Sequence, residues 1–283
     1  MALIMDGNAA SKAVQEQLAR DFEKIKSAGK KPGLAVVLVG ENPASVVYVG
    51  RKKKACESLG FYSREHRLPA DTPENELLSL IRSLNEDPAI HGLLVQLPLP
   101  GHLNPQKVIE TIDPRKDVDG MHPMSLGKLV AGLPGLRSCT PAGVMVLLNH
   151  YQIPVTGKRA VIVVRSIMVG KPMAQLLLDA NATVTVCHSK TQNIGGVIRE
   201  ADLVVAAMGK PQFVKEEMVR EGAVVVDVGI NRTPEGKLVG DVDFEKVAPK
   251  ASAITPVPGG VGPMTIASLM KNTFEAFLEQ TRV

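Results

Sequence analysis

Apolar, β-branched runs recur along the chain at LAVVLVG (34–40), IHGLLVQLPLP (90–100), RAVIVVRS (159–166), ATVTVCHS (182–189), DLVVAAMG (202–209) and AVVVDVGIN (223–231), with helical patterns between and before them. A strand buried on both sides has no polar face to show, so near-continuous apolar strands alternating with helices predict a parallel sheet covered on both faces. The pattern is that of an α/β protein. The last four runs recur at roughly twenty residues, the pitch of short βαβ units. They form a block over 139–263 that reads as a Rossmann-type nucleotide-binding domain. Residues 1–138 form a first α/β domain, and GLRSCTPAG (135–143) has the Gly and Pro content of a crossing segment. The closing stretch carries Ile266, Leu269, Met270, Thr273, Phe274, Phe277 and Leu278 at helical spacing. This final helix, 264–283, is expected to pack back on the first domain.

A helix from about Pro43 to Leu59 places Tyr48, Lys52, Ala55, Cys56 and Leu59 on one stripe, with Ser45 three residues before Tyr48. Lys53 and Lys54 point elsewhere. Two readings of the lysines fit: a solvated charge run whose stems snorkel, or a Lys52 drawn inward with chemistry to do.

The 283 residues suffice for one large or two ordinary domains, and 45 % hydrophobic content can supply their cores. Tryptophan is absent, aromatics make up 3 % of the chain and the net charge is +4, which argues against a nucleic-acid surface and suits small anionic ligands better. Cys56, Cys139 and Cys187 are odd in number and far apart, outside metal-ligand spacing, as in a reduced compartment. The start MALIMDGNAASKAV reaches Asp6 too soon for a signal peptide, and no apolar run has the length of a membrane span. A cytoplasmic protein is expected, with no membrane and no nucleic acid among its partners.

VVRSIMVGKPMAQLLLDA follows the first strand of the second block and opens a helix, where a phosphate sits at a helix N-terminus. The G-x-G-x-x-G pattern is missing, and Gly170 alone remains to bring backbone close to a pyrophosphate; a simple tight turn is the competing reading. The next strand ends in CHSK (187–190), without the acidic residue that would hold an NAD ribose. Ser189, Lys190 and Arg165 would instead receive a 2′-phosphate, so NADP is expected as cofactor.

YVGRKKKACESLGF, GLLVQLPLP, KDVDGMHPMSLGKL, TPAGVMVLL, VGKPM, ATVTVCHSKT and TPVPGGVGPMT stand in the order and spacing of one known family. Over nearly its whole length the chain resembles the bifunctional methylenetetrahydrofolate dehydrogenase/methenyltetrahydrofolate cyclohydrolase family. The resemblance implies NADP-dependent oxidation of 5,10-methylenetetrahydrofolate, followed by hydrolysis of the methenyl product to 10-formyltetrahydrofolate. It implies a homodimer with folate, in polyglutamylated form, in a cleft between two α/β domains. The family's Tyr-x-x-x-Lys pair falls on Tyr48 and Lys52, its catalytic glutamine on Gln96 and its pterin-binding aspartate on Asp119. Ser45, Pro258 and Gly259 would be lesser substrate contacts. Val164, Arg165, Ser166, Gly170, Ser189, Ile230, Gly262 and Thr265 would line the cofactor. One departure stands out: the family usually has a small residue where this chain has Val164, which adds bulk where backbone should approach the cofactor.

The implied chemistry suits these residue types. A carboxylate at Asp119 accepts two pterin N–H groups at once, although DVDG also reads as an Asx turn closed by Gly120. Its calcium-loop reading fails, because no Glu stands at the twelfth position from Asp117. Hydrolysis adds water to a cationic amidine-like carbon and moves protons as the ring opens. A lysine amine serves there only when partly neutral, a state that burial and a cationic neighbour favour. Gln96 could hold such an amine while staying uncharged, or merely close its strand before Pro98. Three rivals are a short-chain dehydrogenase, a shikimate-type dehydrogenase and a nucleic-acid module marked by RKKK. The first needs Tyr-x-x-x-Lys after the nucleotide turn, whereas here it precedes that turn by over a hundred residues. The second does not require VQLPLP or DVDG, and the third predicts steeply salt-dependent binding.

Overall fold

A computed structural model describes residues 1–25 and 29–281. In chain order, β1 (Leu3–Ile4) and α1 (Gly7–Ile25) precede β2 (Gly33–Val39), α2 (Pro43–Ser58), β3 (Tyr62–Leu68), α3 (Glu74–Glu86) and β4 (Gly92–Val95). Short helices α4 (Pro105–Thr111) and α5 (Pro123–Val130) lead to α6 (Cys139–His150). Then come β5 (Arg159–Val163), α7 (Gly170–Asp179), β6 (Thr183–Cys187), α8 (Ile194–Arg199), β7 (Leu203–Ala206) and β8 (Val224–Asp227). The hairpin β9 (Asn231–Arg232) and β10 (Leu238–Val239), α9 (Phe244–Val247), β11 (Ala253–Ile254) and α10 (Val261–Thr281) complete the order. No helix among the described residues is long and apolar enough to cross a membrane.

The chain divides into two compact units, residues 13–139 with 266–283 and residues 1–12 with 140–265. This differs from the expected division at 138/139 in placing residues 1–12 with the later block. The cause is β1: Leu3 pairs with Ala253 and Ile4 with Ile254 in parallel register, a pairing too short to announce itself as a periodic run.

In the first of these units, β2 lies between β3 and β4, all parallel. Every residue of β2 is buried, as a central strand covered on both faces must be. One core packs Leu34, Val36 and Leu38 with Val49, Cys56 and, from α10, Ile266, Leu269, Met270, Phe274 and Phe277. The other face packs Ala35, Val37 and Val39 with Leu77, Leu78 and Ile81 of α3. β3 (YSREHRL) is largely polar yet pairs with β2 over its whole length; as the sheet's edge it needs no apolar run, which is why the apolar pattern passes it over.

In the other unit a six-stranded parallel sheet runs β1-β11-β8-β7-β5-β6. From β5 the chain steps outward to β6 and then back across to β7. That reversal opens a crevice beyond the carboxyl ends of the strands, the usual ligand position in open α/β sheets. Val161, Val163, Val204, Val225 and Ile254 form the core on one face of this sheet.

Candidate functional site

Asn42 caps α2 by accepting the amides of Ala44 and Ser45, with Pro43 in the first turn. The helix buries Ser45, Val49, Lys52, Ala55 and Cys56, while Lys53 and Lys54 are exposed. Tyr48 is half-buried at the edge of that stripe, and Val49 occupies the fully buried position in its turn. Burial pushes the Tyr48 phenol upward. Lys52 is 6 % exposed, and its Nζ donates to Gln96 Oε1 at 2.9 Å. Gln96 follows β4, its backbone N–H donating to Val37 O and its Nε2 to Leu97 O at 2.8 Å. Both ends of the amide are therefore oriented, which fixes the oxygen toward the lysine. Ser45 Oγ reaches Leu97 O at 3.5 Å.

The DVDG segment has two aspartates with separate fates. Asp117 is 1 % exposed and accepts Met121 N–H, His122 N–H and Ser125 O–H at 3.2, 2.8 and 2.7 Å, while burial pushes its carboxyl upward. Gly120 donates to Asp117 O at φ +69°, and a Cβ there would lie 2.4 Å from the Arg137 and Ser138 backbone. The segment does turn at Gly120, but on the Asp117 backbone carbonyl; the Asp117 carboxylate reaches on to Met121, His122 and Ser125 rather than closing an Asx turn. Asp119 is half-buried, and the parallel bridge Leu93–Asp117 carries it to the end of β4 where Gln96 lies. Cys139 marks the convergence: burial and then the Asp119 charge push its thiol well up, with Lys52 opposing.

The second group gathers at the carboxyl ends of the six-stranded sheet. Val163 pairs with Cys187, so the segments carrying Arg165 and Ser189, each two residues further on, leave adjacent strands at the same edge. Arg165, Ser189 and Lys190 are exposed. Ser166 Oγ accepts Val169 N–H at 3.1 Å and Gly170 N–H at 3.4 Å, and a hydroxyl that accepts twice still has its proton to donate to a phosphate. Gly170 has another reason to be glycine than the one the sequence suggested. It is buried, and a Cβ there would lie 2.3 Å from Val164 O and 2.7 Å from Arg165 Cα, so it lets α7 close on the end of β5. Val164 is half-buried. Ile230 is exposed beyond β8. Gly262 and Thr265 are in the first turns of α10, with Thr265 Oγ1 3.1 Å from Thr140 Oγ1. Pro258 is exposed, and Gly259, at φ +105°, accepts Gly7 N–H at 2.8 Å; both belong to the unit of residues 1–12 and 140–265, unlike Lys52, Gln96 and Asp119.

Residues 5–119 match the family model described as tetrahydrofolate dehydrogenase/cyclohydrolase, catalytic domain, and residues 138–281 match that family's NAD(P)-binding domain. The chain belongs to this family. It is 59 % identical over 273 residues to the bifunctional protein FolD of Campylobacter concisus, covering 96 % of each chain. The crystal structure of the bifunctional FolD methylenetetrahydrofolate dehydrogenase/cyclohydrolase from Campylobacter jejuni superimposes with a TM-score of 0.97 at 50 % identity, covering 100 % of both chains. A Trypanosoma brucei FolD structure complexed with NADP cofactor and inhibitor gives 0.96 at 38 % identity, covering 100 % of this chain and 99 % of the other.

Tetrahydrofolate dehydrogenase/cyclohydrolase chains are thus the setting for side chains that sequence patterns did not single out. Asn272, buried in α10, donates to Val118 O and Arg137 O, each at 2.8 Å, and so ties the turn carrying Asp119 to the segment that leads into α6. Its only sequence signal is an amide on a helix face otherwise made of Leu269, Met270 and Phe274. Asp227 and Asp241 are also buried, and burial pushes the Asp227 carboxyl up to about 7. Their signal was the aspartate closing VVVD and the first aspartate of GDVD.

Proposed function

We propose that the protein oxidises 5,10-methylenetetrahydrofolate with NADP⁺ and hydrolyses the 5,10-methenyltetrahydrofolate formed to 10-formyltetrahydrofolate. The observation that carries the hydrolytic half is the buried Lys52 amine held 2.9 Å from Gln96 Oε1, with Asp119 at the same end of β4. In this reading Asp119 accepts two adjacent N–H groups of the pterin and anchors the ring. Tyr48 and Ser45 shape the pocket beside it. Lys52 moves the protons: water adds to the cationic methenyl carbon, and the adduct gives up one proton. The ring C–N bond then breaks as the hydroxyl proton is taken off and a proton is delivered to the leaving nitrogen, so that the formyl group stays on the other nitrogen and one proton is released overall. Gln96 orients the amine and the attacking water without adding a charge.

When bound, NADP⁺ supplies the hydride acceptor for the one-carbon bridge. The chain's own donors fit that cofactor. Arg165, Ser189 and Lys190 offer cationic and hydroxyl groups to a 2′-phosphate, and no carboxylate stands among them to compete for it. Ser166 holds the opening turn of α7 and offers its hydroxyl proton to the pyrophosphate. Gly262, Thr265 and Ile230 would line the rest of the cofactor, and Pro258 and Gly259 are the remaining candidate substrate contacts. The reading extends to polyglutamylated folates as substrates, a homodimer as the working form and a cytoplasmic location.

An absorbance assay of methenyl formation and decay, run with NADP⁺ and with NAD⁺, tests this. Methenyl should appear with NADP⁺, more slowly with NAD⁺, and then decay faster than it does without enzyme. Absence of both reactions in the folded protein overturns the proposal.

A further inference from the structure

At the crevice of the six-stranded sheet, one buried carboxylate that the reaction itself does not use organises two loops. Asp241 is fully buried. Its Oδ2 accepts the backbone N–H groups of Met208 at 2.5 Å and Gly209 at 2.9 Å. Its Oδ1 accepts Lys210 N–H at 2.9 Å and Asn231 Nδ2–H at 2.8 Å. Four N–H dipoles converge on one anion, as a buried charge requires. Residues 208–210 follow β7, and residue 231 opens β9 where the loop that follows β8 ends, so one side chain joins the carboxyl-end segments of two neighbouring strands.

The anchor is itself anchored. Asp227, the last residue of β8, accepts Asp241 N–H and Gly229 N–H on Oδ1 and Val242 N–H on Oδ2, each at 2.9 Å. Space around the pair is closed. A Cβ at Gly229 would lie 2.3 Å from the Asp241 carboxyl carbon, and one at Gly240 1.8 Å from Asp227 Oδ2.

The position of these loops gives the clamp its meaning. Arg165 and Ser189 leave the ends of β5 and β6 side by side and would hold a 2′-phosphate there. A dinucleotide laid from there along the strand ends, about 4.8 Å per strand, would pass over the opening of α7 and bring its nicotinamide half beyond β7 and β8. We infer that Asp241 is a positioning residue for the nicotinamide half of the cofactor, holding the loops after β7 and β8 as one preformed seat. This rests on the NADP reading given above. The adenosine half has its own contacts on the other side of β5 and should not depend on the clamp.

Calorimetry on the full chain separates the halves, with NADP⁺ as one ligand and adenosine 2′,5′-bisphosphate, which lacks the nicotinamide half, as the other. Asp241→Asn keeps the shape but turns an N–H group toward at least one of the four donors. It should weaken NADP⁺ binding about tenfold or more while changing the bisphosphate affinity by less than about twofold. Equal weakening of both ligands, or no weakening of NADP⁺, overturns the inference. Failure of the unaltered protein to bind either ligand overturns the NADP reading and the inference with it, whereas binding of both followed by an indifferent variant overturns the inference alone. Should Asp241→Asn not fold, Asn231→Ala removes one donor from the half-buried side of the clamp. It should weaken NADP⁺ about threefold and spare the bisphosphate, and unchanged NADP⁺ affinity in that variant overturns the inference equally.

Discussion

Lys52 and Gln96 are placed by regular elements: the amine rides on the buried face of α2, and the glutamine follows directly on β4 with its backbone N–H paired to Val37 O. Arg165, Ser189 and Ile230 stand in loops beyond β5, β6 and β8, and the last of these loops is shaped by Asp227 and Asp241. A helix converts spacing directly into geometry, since residues four and seven apart share a face. A loop has no such period, so its shape is set by whatever polar partners capture its backbone groups. The helix-borne site should therefore respond sharply and one residue at a time. The loop-borne site should respond to changes in residues that never touch a ligand.

The largest contrast is expected within the RKKK run. Lys52→Met should lower methenyl hydrolysis by about a hundredfold or more, the usual scale for a lost proton-transfer group, while Lys53→Met and Lys54→Met stay near the unaltered rate. Absorbance decay of supplied methenyltetrahydrofolate reads all three, and full hydrolysis by the Lys52 variant would remove it from the mechanism. Next comes Gln96→Glu, which sets an anion beside the amine and favours its charged form. Hydrolysis should fall about tenfold with folding and cofactor binding intact, and a folded variant with normal hydrolysis would dissociate Gln96 from Lys52.

A smaller effect is expected at Val164. Because Val164 O lies against Gly170, the backbone here is already committed to the strand–helix contact, and only the side chain is free to obstruct a cofactor. Val164→Gly should lower the apparent KM for NADP⁺ about two- to fivefold and leave hydrolysis of supplied methenyltetrahydrofolate unchanged. Steady-state kinetics with and without cofactor would show it; an unchanged KM means the valine points away from the ligand.

The smallest effect is an expected absence of response. Cys56, Cys139 and Cys187 are all buried, and burial pushes the Cys56 thiol up to about 12. Iodoacetamide labelling of the folded protein, followed by mass spectrometry, should therefore stay flat between about pH 7 and pH 9, whereas the unfolded chain should react faster as its thiols ionise. The linkage has a definite sign. A thiol raised in the folded state keeps its proton where the unfolded one loses it, so its stabilising contribution is complete below about pH 8.5 and is lost as the pH climbs toward 12. Labelling of Cys56 that rises with pH in the folded protein would show that α2 opens locally.

Much of this protein was written in its apolar periodicity. The parallel strands β4, β5, β6, β7 and β8 lie within the predicted runs and β2 begins one residue before its own, while the α2 stripe singled out Lys52 as the lysine that could turn inward and left the solvated reading open. These features come from short-range repeats of two and 3.6 residues, which any stretch of sequence carries within itself. Tertiary structure decided the rest. β3 was hidden because an edge strand can be polar, and β1 because a two-residue strand has no period; only its pairing with β11 moved residues 1–12 into the other unit. The reason Gly170 must be glycine came from Val164 O, six residues back and across a turn. The work of Asn272, Asp227 and Asp241 came from partners up to 154 residues away. A buried polar side chain is specified by the groups it must satisfy, and those groups are assembled only when the chain has folded.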